Sequence, residues 1–281
     1  FHERSLHAAL GLALARDVQK LWREDLRLLV MSATLDGVAV SALLDNAPVV
    51  TSVGRSFPVT THYLGSARNS NLEPQVLQAI VRALQEQAGD LLVFLPGQRE
   101  IHRTRALLEN DPALAGMAIH AQFGEAAANQ QQAALQPDPR GRRKVILSTS
   151  IAETSLTIDG VSVVIDAGQV RTVRFDPRRG MAGLVTLPVS QATAEQRAGR
   201  AGRQQAGACY RLWSAEQQAT LARFPAAEIL HSDLMPLALE LAVWGTPVTE
   251  LALLAPPPAA HLRRARDALQ KLGALDADDR I

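Results

Sequence analysis

The sequence predicts an α/β fold, a parallel sheet with helices on both faces, followed by a mostly helical segment. Three observations carry this reading. Between residues 59 and 166, apolar runs of strand length alternate with longer stretches whose apolar residues recur at helical spacing, the rhythm of βαβ units. Two of those runs, Leu91–Leu95 and Lys144–Ser148, pass directly into turn-forming or hydroxyl residues, Pro96-Gly97 and Thr149-Ser150. Beyond residue 215 the pattern becomes helical, with Pro256-Pro257-Pro258 separating its two clearest helices.

Taken in order, residues 3–22 form an amphipathic helix, with Leu6, Leu10, Leu14, Val18 and Leu21 at helical spacing. Leu26–Met31 is a short apolar run that predicts a strand, ended by Ser32-Ala33-Thr34, and Val38–Leu44 predicts a helix. The proline-punctuated passage Pro48–Pro58 marks a domain boundary. Strands then follow at Val59–Leu64, Leu91–Leu95, Met117–Gln122, Lys144–Ser148 and Val161–Asp166, with helices at Pro74–Gln87, Gln98–Leu107 and Ala126–Leu135 between them. Val170–Asp176 and Met181–Val189, joined at Arg178-Arg179-Gly180, predict a β-hairpin. Gly207–Trp213 is a last strand, and Leu234–Trp244 and His261–Leu272 are helices. This divides the chain into residues 1–50, 51–215 and 216–281.

Composition sets outer limits. A chain of 281 residues with 47% hydrophobic content can build a core, and its length suggests two domains. No apolar stretch is long enough to span a bilayer, and no leader-like segment opens the chain. The single Cys209 excludes an intramolecular disulfide, suits a reducing, cytoplasmic setting, and is expected as a buried strand residue. A net charge of +1 does not announce a nucleic-acid binder, although all basic residues except Lys20, Lys144 and Lys271 are arginines.

The most specific string is Gln196-Arg197-Ala198-Gly199-Arg200-Ala201-Gly202-Arg203. A plain basic helix, with Thr193 as N-cap and Gln196 completing a capping box, explains only its start. Two glycines in a helix interior cost about 1 kcal/mol each, and closely spaced arginines repel. Local preferences broken this densely point to a site. On a helix, Gln196, Arg200 and Arg203 share one face, with Gly199 and Gly202 clearing room for a ligand. Guanidinium groups suit phosphate oxygens, and such arginines are worth about 10³–10⁵ in the rate of phosphoryl transfer.

The string resembles motif VI of superfamily 2 helicases, in the form of the DEAH-box branch. Other blocks agree in order. Phe1-His2-Glu3-Arg4 resembles the end of motif II, and Ser32-Ala33-Thr34 resembles motif III. Residues 92–101, from Leu92 to Ile101, resemble motif IV, and residues 148–160, from Ser148 to Gly160, resemble motif V. The first four residues and Leu272-Gly273-Ala274-Leu275-Asp276 look most like a bacterial member.

The resemblance implies a RecA-like sheet: residues 1–50 as the tail of a first lobe, 51–215 as the second lobe, and 216–281 as linker helices with the start of a winged-helix-like domain. It implies ATP with Mg²⁺ and single-stranded nucleic acid, usually RNA, as ligands. Gln196, Arg200 and Arg203 would act on the γ-phosphate, with His2 coupling motif II to motif VI. Ser155, Thr157 and Asp159, with Ser32 and Thr34, would face the nucleotide. Thr149, Ser150, Gly97 and Gln98 would hold the nucleic-acid backbone, although the family commonly carries Asn where this chain has Ser150. Arg171 and Arg174, on the hairpin between motifs V and VI, would guide a strand.

None of the lysines stands in a Gly-x-x-x-x-Gly-Lys-Ser/Thr loop. With the motif II acids also expected upstream of Phe1, the chain is expected to be a fragment inactive alone, its metal and most ATP contacts lying elsewhere. The alternatives are a non-catalytic RNA-binding module on the same fold, or a DNA-directed helicase of the superfamily.

Overall fold

The computed structural model of the chain describes residues 4–32, 37–52, 57–65, 71–122, 124, 128–153 and 158–281. In chain order the elements begin with α1 (Leu6–Leu21), α2 (Gly37–Leu43), β1 (Val59–Tyr63), α3 (Leu72–Glu86), β2 (Asp90–Phe94) and α4 (Gln98–Glu109). There follow β3 (Ala118–Gln122), α5 (Ala128–Leu135), β4 (Lys144–Ser148), β5 (Val161–Asp166), β6 (Gln169–Asp176) and β7 (Met181–Pro188). The last are α6 (Gln191–Ala198), β8 (Gly207–Arg211), α7 (Ala215–Thr220), α8 (Met235–Trp244) and α9 (Ala259–Lys271). Packing divides the chain into a sheet unit, residues 53–172 with 186–224, and a second unit of residues 1–52, 173–185 and 225–281.

The sheet unit is built on six strands in the order β1-β8-β5-β2-β4-β3, every neighbouring pair parallel. A parallel sheet covered on both faces needs strands that are apolar throughout rather than alternating. That is why Leu91–Phe94, Val145–Leu147 and Val163–Ile165 are continuous apolar runs, each residue at most 1% exposed. Successive side chains point to opposite faces. Leu91, Val93, Val145, Leu147, Val163 and Ile165 meet Val76, Ile80, Ile101 and Leu108 of α3 and α4. Leu92, Phe94, Ile146, Val164 and Cys209 meet Ala134 of α5 and Ala198 of α6. This is the RecA-like sheet expected. Cys209 is a buried strand residue, and burial pushes its thiol up to about 12, which keeps it inert.

Hydrogen bonds continue past the carboxyl ends of the strands. Leu95 N–H donates to Ser148 O (2.8 Å), Thr149 N–H to Gln122 O (3.2 Å), Ala167 N–H to Phe94 O (3.1 Å) and Leu212 N–H to Asp166 O (3.0 Å). The loops carrying candidate contacts therefore leave from a stitched edge. Strands β6 and β7 pair as the expected hairpin.

In the second unit, Leu6, Leu10 and Ala13 of α1 share a core with Leu237, Ala238 and Leu241 of α8 and Leu262, Ala265 and Leu269 of α9. Ser5 starts α1 by accepting from Ala8 N–H (3.2 Å), a cap worth about 1 kcal/mol. The hairpin tip belongs to this unit, Phe175 N–H donating to His231 O (2.8 Å). The first and last segments of the chain thus bury one apolar cluster together.

One local expectation fails. Leu26–Met31 is not a strand; Leu29 is 82% and Met31 74% exposed. An apolar run becomes a strand only against a hydrogen-bonded neighbour, and no described residue supplies one there. Residues 225–281 are helical, with no strand among the described residues.

Candidate functional site

The arginine-rich segment begins on α6. Its N-cap is Ser190, whose Oγ accepts from Thr193 N–H (3.1 Å), so Thr193 lies inside the helix rather than capping it. The start is fixed by tertiary bonds from Val189 N–H to Gly168 O (3.0 Å) and from Gln191 N–H to Ala222 O (2.8 Å).

The helix then ends at Ala198. Arg200, Ala201 and Gly202 N–H groups donate to Arg197, Ala198 and Gly199 carbonyls in successive tight turns. Gln196 is therefore helical, whereas Arg200 and Arg203 follow the helix end; a single helix face is not what places them. Gly202 explains the departure. A Cβ there would lie 2.5 Å from Phe57 O and 2.7 Å from Val59 Cγ2, and Phe57 N–H donates to Gly202 O (2.8 Å). This glycine admits the chain entering β1, not a ligand. At Gly199 a Cβ would meet only ordinary contacts, 3.4 Å from Glu195 O.

Arg197 was not singled out in the sequence, yet it is the buried centre of the segment. It is fully buried, with Nη1 2.7 Å from Asp166 Oδ1 and Nε and Nη2 2.8 and 2.7 Å from Glu153 Oε1. Nη1 also donates to Gln169 O (3.2 Å), and the guanidinium lies 4.9 Å from the centre of the Phe94 ring. Burial works against the charge, but Asp166 and Glu153 outweigh it and hold the guanidinium above its ordinary pKa. Burial pushes the Glu153 carboxyl up against the pull of Arg197 and Arg200.

Arg200 is only 6% exposed. Burial, and then the neighbouring charge of Arg203, pull its pKa down to about 10, with Glu153 opposing. Arg203 is exposed, and Gln196 Nε2 donates to Glu153 O at 3.4 Å. Guanidinium and amide groups are the donor types that bind phosphate oxygens, so the residue types of this segment suit a phosphate.

Asp159 lies just before β5, at the amino end of the sheet, and accepts from Gln204 Nε2 (2.8 Å); Gln204 Oε1 in turn takes Gly160 N–H (3.1 Å). This ties the end of motif V to the residue after Arg203. His2, Thr34, Ser155 and Thr157 lie outside the described residues. Ser32 is half-buried, in irregular backbone of the second unit.

The candidate nucleic-acid contacts of the sheet unit gather at the opposite, carboxyl edge. Thr149 follows β4 and Ser150 is exposed at the start of a 3-10 turn over Ser150–Glu153. Gly97 caps α4, Gln98 is its exposed first residue, and a Cβ on Gly97 would collide with the Arg171 guanidinium. Arg171 does not extend free: it pairs with Glu100 (2.9 Å) and donates to Thr186 Oγ1 (3.3 Å). Burial opposes ionisation of Glu100, but Arg171 and the helix backbone outweigh it and hold the carboxyl below its usual range. Arg174, further along β6, is exposed.

Motif V thus begins at the carboxyl edge with Thr149 and finishes at the amino edge with Asp159, and Glu153–Arg197–Asp166 joins it to α6 and β5 on the way. Asp166 could be noticed in the sequence as a charged end to the apolar run Val161–Ile165; nothing there pairs it with Arg197. Among the described residues, no group of three or more His, Cys, Asp or Glu side chains is placed to hold a metal. Nor is any helix among them long and apolar enough to cross a membrane.

Residues 74–205 match the helicase conserved C-terminal domain family. The chain is 45% identical over 279 residues to the ATP-dependent RNA helicase HrpB of Escherichia coli (strain K12), covering 99% of the chain and 34% of that protein. It is 37% identical to the probable ATP-dependent RNA helicase DHX35 of Homo sapiens, covering all of the chain and 42% of that protein. Two crystal structures, of the E. coli DExH-box NTPase HrpB and of the Escherichia coli DEAH/RHA helicase HrpB, match the whole chain at 44% identity. Their TM-scores are 0.89 and 0.90, with 35% and 36% of those chains covered. The chain thus spans about a third of the length of the bacterial relative and about two fifths of the human one.

Proposed function

We propose that the chain, whose residues 74–205 match the helicase conserved C-terminal domain family, is the arginine-bearing part of an ATP-dependent RNA helicase or translocase of the DEAH branch. The observation that carries the proposal is the pair Arg200 and Arg203. One is nearly buried and the other exposed, close enough for Arg203 to depress the Arg200 pKa, just beyond a helix that presents Gln196.

In this reading Gln196, Arg200 and Arg203 hold the terminal phosphate of ATP, with Asp159 among the nucleotide-side residues. Bound ATP with Mg²⁺ would supply the phosphoryl group whose transfer to water drives the cycle. Arg200 and Arg203 place positive charge where the transferring phosphate accumulates negative charge, the largest single contribution a protein makes to such chemistry. Burial around Arg200 excludes water and strengthens that interaction.

At the carboxyl edge of the sheet, Thr149, Ser150, Gly97 and Gln98 offer hydroxyl, amide and backbone donors to the backbone of single-stranded RNA. Arg174 adds an exposed charge on the hairpin. Contacts to phosphate rather than bases imply slight sequence preference and strong salt dependence. His2, Ser32, Thr34, Ser155 and Thr157 complete the proposed nucleotide-side set. The test is RNA-stimulated ATP hydrolysis by the full-length protein, with Arg200→Ala and Arg203→Ala beside the wild type and DNA compared with RNA as stimulant.

A further inference from the structure

Gln204, the residue after Arg203, is a two-point clamp on the end of motif V. Its Nε2 donates to Asp159 Oδ1 (2.8 Å) and its Oε1 accepts from Gly160 N–H (3.1 Å). The clamped pair is itself fixed to the sheet. Asp159 O accepts from the Lys144 ammonium (3.2 Å), and Gly160 O accepts from Asp90 N–H (2.9 Å). Lys144 is 1% exposed; its Nζ also donates to Ala134 O (3.2 Å) and Gln136 O (2.9 Å) and lies 3.4 Å from Asp90 Oδ2. A buried ammonium satisfied by this many oxygens is a fixed point, since moving it would leave a charge unpaired in the interior.

Arg203 is thereby set between two anchors. On one side Gly202 O accepts from Phe57 N–H (2.8 Å), and on the other the Gln204 side chain grips residues 159 and 160. Further on, Gly207 N–H donates to Pro58 O (3.0 Å), so the exposed stretch 203–206 lies between two backbone bonds to the chain entering β1. Stability is a poor account of the clamp. An exposed hydrogen bond adds little, because water serves both partners as well, and ordering a long amide side chain costs entropy. What two simultaneous bonds do supply is orientation: with its donor and its acceptor both engaged, the amide fixes the backbone that carries it. We propose that Gln204 is a positioning residue for Arg203, holding the backbone from which that guanidinium reaches the terminal phosphate of ATP, with Asp159, Gly160 and the buried Lys144 as the fixed base. This rests on the functional reading above and deepens it.

The test is steady-state ATP hydrolysis by the full-length protein, stimulated by an unstructured single-stranded RNA oligonucleotide, with kcat and KM for ATP obtained separately. Wild type is compared with Gln204→Ala, Gln204→Glu and, at the exposed neighbouring position, Gln205→Ala. Gln204→Ala removes both bonds; Gln204→Glu keeps the acceptor for Gly160 N–H but sets a carboxylate against Asp159. Misplacing a reacting group by about 1 Å can cost on the order of 10²-fold in rate. A looser anchor one residue away should lower kcat about tenfold in Gln204→Ala and at least as much in Gln204→Glu, with KM changed less than about threefold. Gln205→Ala should stay within about twofold of wild type. Melts followed by circular dichroism should give nearly the same midpoint for all four proteins. A merely structural role would lower the midpoint and leave kcat per folded molecule alone, and that result would overturn the proposal. So would kcat within about twofold of wild type in both Gln204 variants, a change confined to KM, or an equal fall in Gln205→Ala. Arg203→Ala is measured alongside: wild-type turnover there overturns the functional reading itself, whereas a loss there with unchanged Gln204 variants overturns only the positioning role.

Discussion

Arg197 Nη1 lies 2.7 Å from Asp166 Oδ1, and neither residue is exposed. The pair joins the helix of the arginine segment to the end of a central strand. Removing one partner strands a buried charge, which is far more costly than the pair is worth when intact.

Arg197→Met should therefore destabilise the sheet unit by about 3–5 kcal/mol, seen as a clear drop in the midpoint of heat denaturation by circular dichroism. Arg105→Ala, which breaks the exposed pair with Glu109 on α4, should move that midpoint little. Equal effects from the two variants would count against the buried pair.

The two glycines of the segment should separate. Gly202→Ala places a Cβ against Phe57 O and Val59 Cγ2, an overpacking expected to cost about 1–3 kcal/mol. Gly199→Ala meets only ordinary contacts in right-handed backbone and should leave stability unchanged or raise it by about 0.4–1 kcal/mol. Denaturant unfolding of both variants checks the difference. If Gly202→Ala were as stable as Gly199→Ala, the close approach of the chain entering β1 would be wrong.

The hairpin arginines should differ in kind. Arg174 is exposed, so Arg174→Ala should weaken binding of single-stranded RNA to the full-length protein and lower the salt slope by about 0.7, one phosphate contact. Arg171 is held by Glu100 and Thr186, so Arg171→Ala should act on the firmness of the hairpin base and lower the melting midpoint more than the slope. Anisotropy titrations at several salt concentrations, with parallel melts, distinguish the two.

Much of the sheet was legible because its strands are buried on both faces and so are written as unbroken apolar runs, Leu91–Phe94 and Val163–Ile165 among them. Leu26–Met31 is written similarly, but a strand also needs a neighbour, which composition cannot supply. The start of α6 was misplaced because Thr193 and Ser190 both stand ahead of a suitable partner; the choice was made by bonds to Gly168 and Ala222, remote in sequence. The same holds for the unit formed by α1, α8 and α9, whose shared core joins residues more than two hundred positions apart. The arginine segment was recognisable as a string, but which arginine faces inward depends on where the helix stops. Glu153 and Asp166, remote in sequence, take Arg197 inward.

The central claim, that Arg200 and Arg203 act on the phosphate of ATP, is tested most directly by RNA-stimulated ATP hydrolysis in the full-length protein. Arg200→Ala and Arg203→Ala should each lower turnover by about 10³ or more, while RNA binding without nucleotide persists. Wild-type turnover in both variants would contradict it.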